Sequence, residues 1–352
     1  MADYTTIDNP AKHFNTVLYS GTGSSNSVTG VGFQPDWTWI KQRNGTTHHF
    51  IYDAVRGATN TIYTSATSAD AVQSQGLTAF GTDGFTVGTN TGVNGAGGTG
   101  GTYVAWNWLA ANGTASNSDG SITTTVSANT TSGFSIVSYT WTGSAGTIGH
   151  GLGTTPAMGI FKNRSASSTH WRVWQQNLDN DKILELSDTT AAHTPGTADF
   201  NISNNSSTVW GLSTNSQSNG SGNSMIAYIF AEKKGYSKFG SYTGNGNADG
   251  TFIYTGFKPA WVMFKRTSGT APWNIFDNKR ADLNVIQKGL LANSSNAEFT
   301  GTNRCDFLSN GIKLRGSAVA PNVSGESYIY MAFAENPFVG NDSGTAVPVT
   351  AR

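Results

Sequence analysis

The sequence PDWTWIK at residues 35–41 decides the fold, because the same design of a proline, an apolar strand and a closing lysine occurs twice more. The later copies are PAMGIFK at 156–162 and PAWVMFK at 259–265. Each is followed by an aromatic and alanine segment: YVAWNW at 103–108, MIAYIF at 225–230 and YIYMAF at 328–333. The interval from the lysine to the start of that segment is 62, 63 and 63 residues. Such close agreement over three copies indicates an internal repeat.

A third recurring segment lies between these two, as HFIY at 49–52, WRVW at 171–174 and WNIF at 273–276. The apolar segments are short, rich in β-branched and aromatic residues, and bounded by Gly, Asn, Ser or Pro, which is typical of strands. Helical periodicity is best at 279–291 and weak even there. We therefore expect an all-β protein of three tandem β-sandwich repeats, jelly-roll-like, each of about 100 residues with a core of its own.

The spacing of the repeats divides the chain into six segments. The sandwich repeats are expected at 15–111, 133–234 and 235–338. Between the first two lies NGTASNSDGSITTTVSANTTS at 112–132, which is polar and of low complexity and so predicts a linker or a long surface loop. Residues 1–14 are expected to be a docking segment, since an ordered terminus usually needs a partner, and residues 339–352 a C-terminal tail.

The charge content is low and balanced. Twenty-one Lys and Arg face 21 Asp and Glu, so that 12% of the residues are charged, against about 25% in typical globular proteins. An aromatic content of 11% excludes intrinsic disorder, and the largest basic cluster, Lys233-Lys234, is too small for a nucleic-acid binder. The solvent-exposed surface must therefore consist mainly of Ser, Thr, Asn and Gly.

Cysteine content and apolar runs limit the cellular context. The single cysteine, Cys305, excludes a disulfide framework and a cysteine metal cluster. Residues 1–15 have no apolar core of a signal peptide, and an apolar run such as 225–231 is far below the ~20 residues that span a bilayer. We expect a soluble product made in a cytoplasm, without membrane insertion.

No catalytic motif emerges from the sequence. The G-x-S-x-G pattern is absent, and GAGGTG at 95–100 runs directly into a strand, which favours a hairpin loop over a nucleotide site. Asp53 and Arg56 recur three residues apart as Asp277 and Arg280, while the second copy has lost both. This pattern predicts a surface ion pair in a turn, worth little stability. We expect no enzyme activity and no cofactor.

Candidate ligand-binding residues are those that differ between the copies, because aromatic residues at shared positions are expected in the core. Tyr63, Trp141, Trp210 and Tyr254 are specific to one repeat and lie near Asn, Ser and Thr, which suits stacking on sugar rings with hydrogen bonds around them. His48 and His49 are a second candidate contact, at a loop tip. Spacing fixes no third ligand beside them, so no metal site is predicted. Ordinary packing is the alternative for each residue.

Several segments resemble a family of structural proteins of marine phages that infect cyanobacteria and other plankton bacteria. They include YTTIDNP at 4–10, FQPDWTWIK at 33–41, YDAVRG at 52–57 and AFAENPF at 332–338, and the matches extend over nearly the whole chain. The resemblance implies a tail fibre or virion structural protein at the virion surface. The chain has no heptad run or shaft repeat, which leaves a compact knob on a tail or a decoration on a head.

Together these features predict a non-enzymatic phage virion protein of the tail-fibre or knob type that binds a host-surface glycan. We expect it to dock to other virion proteins through residues 1–14 and to act as a homo-oligomer, a trimer, because multivalent display raises the avidity of weak sugar contacts. The alternatives are a head-decoration or head-fibre protein without a ligand, a polysaccharide depolymerase, and a bacterial adhesin, which the missing secretion signal disfavours.

Overall fold

The structure is a computed structural model that describes residues 4–96, 100–215, 221–281, 284–317, 321–342 and 345–348. The first third of the chain contains β1 (Phe14–Ser20), β2 (Asn26–Thr29), β3 (Trp37–Gln42), β4 (Phe50–Asp53), β5 (Asn60–Tyr63), β6 (Ala71–Val72), β7 (Leu77–Gly81), β8 (Gly84–Val87) and β9 (Thr102–Trp108). One α-helical turn, α1 (Thr91–Asn94), precedes β9, and 3-10 turns span Pro10–Lys12 and Ile202–Asn204.

The remaining strands follow the same succession. The second third contains β10 (Ala115–Asn117), β11 (Thr124–Asn129), β12 (Phe134–Thr140), β13 (Gly146–Gly149), β14 (Met158–Asn163), β15 (Arg172–Gln175), β16 (Leu184–Glu185), β17 (Val209–Leu212) and β18 (Ser224–Phe230). The last third contains β19 (Ser237–Thr243), β20 (Phe252–Tyr254), β21 (Phe257–Arg266), β22 (Asn274–Asp277), β23 (Leu290–Leu291), β24 (Cys305–Leu308), β25 (Gly311–Leu314) and β26 (Ser327–Pro337), and the hairpin β27 (Val339–Asp342) and β28 (Thr345–Pro348) follows.

Three large antiparallel sheets of one strand order organise the part of the chain that the structure describes. The first runs β1-β9-β3-β4-β5 with β6 added, the second contains β12-β18-β14-β15-β16, and the third is β19-β26-β21-β22-β23. In each, the strand of the proline-to-lysine segment pairs with the aromatic and alanine strand, so that Trp37 lies opposite Trp108 and Trp261 opposite Phe333. The all-β prediction is confirmed.

A small sheet covers the outer face of each large sheet. These small sheets are β2-β8-β7, β13-β17 and β20-β25-β24. Their side chains pack against alternate residues of the large sheets, as Val28 and Phe85 do with Ile40, and Ile312 with Phe264. Each third of the chain is thus a two-layer, sandwich-like unit with an outer core.

The inner faces of the three large sheets meet in one aromatic centre. Because side chains alternate along a strand, Trp261 and Met263 face this centre while Val262 and Phe264 face the small sheet. Trp108 contacts Trp261 at 5.6 Å between ring centroids, and other ring pairs join the first sheet to the second and the second to the third. The three units therefore share a core, which a string of separate domains would not do.

Residues 112–132, expected as a linker or loop, instead extend the second sheet. β10 pairs with β11 and β11 with β12, so that Val126 lies opposite Val137. Ile122, Thr124 and Val126 are buried and alternate with exposed residues. The linker prediction was wrong because threonine and valine are good strand formers, and polar composition hid an alternation of period two.

Residues 4–14, expected to dock onto another protein, pack on their own chain. The Tyr4 hydroxyl donates a hydrogen bond to the Gly256 carbonyl at 2.6 Å, Ile7 is buried, and Phe14 stacks on Phe333 with the centroids 5.2 Å apart. The segment joins the first sheet to the third. Its partner is therefore within the molecule, which removes the reason for predicting a docking role.

One polar side chain at the end of β4, β15 and β22 joins each large sheet to the next. Asp53 accepts a hydrogen bond from the Tyr228 hydroxyl at 2.7 Å, from the first unit to the second. Gln175 donates to the Gly240 carbonyl at 3.1 Å, from the second to the third. Asp277 accepts from the Trp106 indole N–H at 3.0 Å, from the third to the first, and so closes the ring.

The Asp and Arg pairs lie at these junctions and not at the surface, contrary to the prediction. Both side chains of the Arg56–Asp53 pair (2.5 Å) and of the Arg280–Asp277 pair (2.6 Å) are fully buried. Glu298 continues the second pair, because it accepts from Arg280 of its own unit and from Arg43 of the first unit, each at 3.0 Å.

An equivalent clamp joins the first unit to the second. Asp70 pairs with Arg56 at 3.1 Å and with Arg164 of the second unit at 2.7 Å. The junction of the second and third units has Ala192 and Thr267 in the corresponding positions, where the backbone N–H of Ala192 donates to the Thr267 carbonyl at 2.9 Å. At this position two of the three junctions thus have an acid paired with arginines, and the third has uncharged side chains.

The lysines that end the recurring strands are buried. Their ammonium groups donate to backbone carbonyls: Lys41 to Gly45 at 3.0 Å, Lys162 to Thr169 at 2.7 Å and Lys265 to Ala271 at 2.8 Å. Burial lowers the pKa of Lys41 and Lys162 to about 8 and that of Lys265 to about 7. Each lysine closes the loop that follows its strand.

We predict that Asp277→Asn destabilises the whole molecule by about 3–5 kcal/mol, because it removes the fully buried carboxylate of the Arg280 pair and leaves the guanidinium with Glu298 alone. Urea unfolding followed by tryptophan fluorescence and by circular dichroism measures this, and the two signals should change together since the residue joins two units. Asp179→Asn is the control, because Asp179 pairs with Lys182 at the surface and should leave the midpoint unchanged. Equal midpoints for the two variants would contradict the assigned role.

We predict that the free energy of unfolding rises between pH 7 and pH 9. The lysine amines of the unfolded chain hold their protons to a pKa of 10.5, whereas the folded protein releases them near 7 or 8. The unfolded state therefore binds more protons in this window, which adds up to ~1.4 kcal/mol per pH unit for each lysine. Urea midpoints at the two pH values test this, and Lys265→Met should reduce the slope. A flat profile would be inconsistent with these buried amines.

Candidate functional site

The six candidate residues from the sequence do not converge on one site. Trp210, Trp141 and His49 are buried, at 0%, 3% and 0% exposure, so the structure gives them no surface to offer a ligand. Trp210 packs between Phe161 and Trp174 inside the second sandwich, at 5.1 and 5.7 Å. The sequence-based prediction assumes that an aromatic residue specific to one repeat is exposed, but the core of a sandwich can differ from copy to copy.

His49 performs a structural function at a junction. Its Nδ1 accepts a hydrogen bond from the Trp39 indole at 2.8 Å. The corresponding residues of the other units are Trp171 and Trp273, whose indole N–H groups donate to the carbonyls of Tyr63 and Glu185 in the preceding unit, at 2.9 and 2.8 Å. The imidazole ring of His49 occupies the position that these indole rings occupy in the other units. Burial holds the pKa of His49 well below the usual value.

His48 and Tyr63 are brought together at the rim of the first unit. Their rings stack with centroids 4.7 Å apart, and His48 Nδ1 lies 3.0 Å from the Ser65 hydroxyl. Burial and the nearby Lys41 lower the pKa of His48, which favours the neutral imidazole. This pair is accessible, but its ring faces are already used on each other.

Tyr254 is the candidate that the structure leaves open to a ligand. It is 56% exposed on β20, an edge strand, and its neighbour on the same face, Phe252, is 43% exposed. The buried residue between them, Ile253, corresponds to Val28 in β2 and Ile148 in β13. The flanking positions in those strands are Ser27 and Thr29, and Thr147 and Gly149. The fold does not require aromatic rings here, and only the third unit has them.

A groove of about 160 Å³ lies beside Tyr254. Tyr4, Lys234, Lys238 and Glu232 line it with the backbone of Gly256. The Lys234 ammonium lies 4.5 Å from the centre of the Tyr4 ring, and Lys238 pairs with Glu232 at 2.6 Å. Burial, followed by its hydrogen bond with Tyr254, raises the pKa of Tyr4 to about 12. Sequence reasoning missed Tyr4 and the lysines, because residues 250 positions apart meet only through the fold.

The groove is equipped for binding. Tyr254 lines the groove, and the exposed Phe252 lies outside the lining, two residues away on the same face of β20, so the two rings can stack on the apolar face of a sugar. The tyrosine hydroxyls and lysine amines of the lining can hydrogen-bond to sugar hydroxyls. Glu232, the carboxylate of the described lining, is held by Lys238.

Among the described residues no helix is long and apolar enough to cross a membrane.

We predict that Trp210→Ala lowers the stability by about 3–5 kcal/mol, the usual loss for a buried tryptophan, whereas Tyr254→Ala changes it by less than about 0.5 kcal/mol. Urea unfolding of the two variants separates a core residue from a surface residue. Comparable losses in both would show that Tyr254 packs into the molecule and would remove it from the site.

Comparison with known proteins gives a family without a known function. No curated protein matches the chain, and no solved structure matches it. The model of a family described as a domain of unknown function, DUF7483, matches residues 9–337, which is most of the chain. The chain therefore belongs to the DUF7483 family.

Proposed function

We propose that this chain is a non-enzymatic phage virion structural protein of the tail-fibre or knob type, exposed on the particle, whose third unit binds a host-surface glycan. The observation that carries the binding function is the exposed pair Phe252 and Tyr254. Two sister strands of the same fold place serine, threonine or glycine at these positions, so the rings are an addition to the framework and not part of it.

The groove supports a sugar as the ligand. An exposed aromatic strip beside lysine amines and tyrosine hydroxyls combines stacking with directional hydrogen bonds, and ring contacts of this kind contribute about 0.5–1.5 kcal/mol each. A single site of this size binds weakly. Display in several copies compensates for this, which is why a homotrimer attached to other virion proteins belongs to the proposal.

The virion placement is supported by the resemblance described above and by the architecture. Three sheets are joined in a closed ring by buried contacts, and only 12% of the residues are charged. Such a molecule suits a fixed position on the surface of a particle, where it presents its loops. Residues 4–14 are used inside the molecule, so the proposal assigns the attachment to no segment.

The test is competition for adsorption. Purified protein should block phage adsorption to its host and bind the isolated surface polysaccharide. The double variant Phe252→Ser, Tyr254→Thr, which copies the first unit, should weaken both by about tenfold, since two ring contacts are lost.

Leu18→Thr is the matched control, because Leu18 is exposed to a similar degree at 41% but lies on β1 of the first unit. It should compete like the unchanged protein. Full competition by the double variant would overturn the assignment of the site. If the unchanged protein fails to compete and an antibody labels the capsid alone, the head-decoration alternative replaces the proposal. Release of reducing ends from the polysaccharide would instead establish a depolymerase.

A further inference from the structure

A cluster of charged and imidazole groups lies at the edge of the second unit. Glu185 Oε1 accepts a hydrogen bond from Arg172, and its other oxygen, Oε2, lies 3.2 Å from His170 Nδ1. His193 Nε2 lies 3.9 Å from Glu185 Oε1. One ligand atom each of His170, Glu185 and Asp188 lie within 4.8 Å of one another. These three groups therefore meet at one point, although the chain separates them by up to 18 positions.

The fold does not require charge at this point. Arg172 lies opposite Glu185 in the pairing of β15 with β16. The corresponding cross-strand pair is Phe50 with Tyr63 in the first unit, and Asn274 with Leu291 in the third. Those units fill the position with aromatic, aliphatic or amide groups. The charged set is specific to the second unit, in a protein where only 12% of the residues are charged.

Negative charge exceeds positive charge in this cluster. Glu185 and Asp199 both face the guanidinium of Arg172, and Asp188 adds a third carboxylate beside Glu185. Asp199 lies 3.7 Å from Arg172 and lines the same small cavity as His170. Lys265, behind Asp188, is held by the carbonyls of Thr189 and Ala271.

The clamps at the other junctions are balanced, in contrast. Asp53 and Asp70 face Arg56 and Arg164, and an equal set of two acids and two arginines joins the third unit to the first. A cation would restore the same balance in the second unit.

The side chains are held in a geometry suited to a metal ion. His193 stands beside this set: its Nδ1–H donates to the Ala191 carbonyl at 3.2 Å, and its Nε2 faces the Glu185 oxygen that Arg172 holds. Backbone N–H groups of Thr189 and Thr190 hold Asp188 Oδ1. The 3.2 Å from His170 to Glu185 is close to the ~3.3 Å between neighbouring ligands of a tetrahedral zinc with bonds of about 2.0–2.1 Å.

We propose that this cluster binds one divalent transition-metal ion of the zinc type, with His170, Glu185 and Asp188 as its protein ligands. Imidazole nitrogen with carboxylate oxygen selects zinc over calcium and magnesium, which prefer oxygen alone. Glu185 keeps one oxygen on Arg172 and gives the other to the metal. The role of the ion is structural.

The place of the site explains what the ion would stabilise. The loop that follows β16 carries Asp188 and also Thr189, whose carbonyl accepts from Lys265 and from the Ala271 backbone of the third unit. This is the junction at which Ala192 and Thr267 replace the ion clamp of the other two. A metal on this loop would add a charged link beside the two positions, Ala192 and Thr267, at which this junction has neither acid nor arginine.

The experiment is zinc titration of the full chain after treatment with a chelator, by equilibrium dialysis with metal analysis and by thermal unfolding. We expect one zinc per chain, a higher Tm with zinc, and weaker binding of calcium. His170→Gln and Asp188→Asn should each lower the zinc affinity by at least about 10- to 100-fold, the loss that follows changes to residues that only orient a ligand, and should abolish the rise in Tm, because each removes a ligand.

His48→Gln is the matched control. His48 occupies the corresponding place in the first unit, with Nδ1 on Ser65 at 3.0 Å where His170 has Ser187 at 3.1 Å, but no acidic cluster surrounds it. It should bind zinc like the unchanged protein. Circular dichroism of both variants verifies that each is folded. The absence of saturable zinc binding, or equal affinity of the unchanged protein and both cluster variants, would overturn the proposal, whatever the result for the glycan.

Discussion

The molecule depends on one constraint: each large sheet is apolar on both faces, so both faces must be removed from water. A small sheet of the same unit covers the outer face. The inner face carries large aromatic residues such as Trp37, Trp108 and Trp261, which are buried in one cluster. Three large sheets solve the problem together, because each covers the others around a common centre, and burial of each such side chain contributes about 1.5–3 kcal/mol.

The same constraint decides where the few charges lie. Three sheets that meet at a centre leave polar strand ends between them, and each needs a partner because an unpaired buried charge is costly. Where the facing residue is Tyr228 or Trp106, which can donate, the strand ends in aspartate. Where the third sheet has Met331 at that position, the strand ends in Gln175, which donates instead to a backbone carbonyl. The charge of the recurring framework thus lies inside, and the surface is more neutral than the composition indicates.

The sequence alone was sufficient to predict the strands, but it did not predict how the three sheets assemble. Equal spacing identified the two strands that pair in each sheet, and the β-branched and aromatic composition identified the all-β class. One signal was available for the shared centre: Trp261, Val262, Met263 and Phe264 are apolar at successive positions, so both faces of the strand had to be buried. The sequence does not show in the same way which aromatic side chains are exposed to solvent. Trp210 and Tyr254 both look specific to one unit, but only contacts across the sandwich show that the first is core.

Three versions of one framework in a single chain provide an internal control for function. A residue shared by the three units, such as the buried lysine, is explained by folding, because each unit needs its loop closed. A residue that occurs in one unit only, and that folding does not require, needs another explanation. In the third unit, Phe252 and Tyr254 place exposed aromatic rings where the other units have small residues. In the second unit, Arg172 and Glu185 form a charged pair where the other units have uncharged residues. These departures lie in different units and on different surfaces, so binding to a partner and binding of an ion can change independently while the shared aromatic centre stays constant.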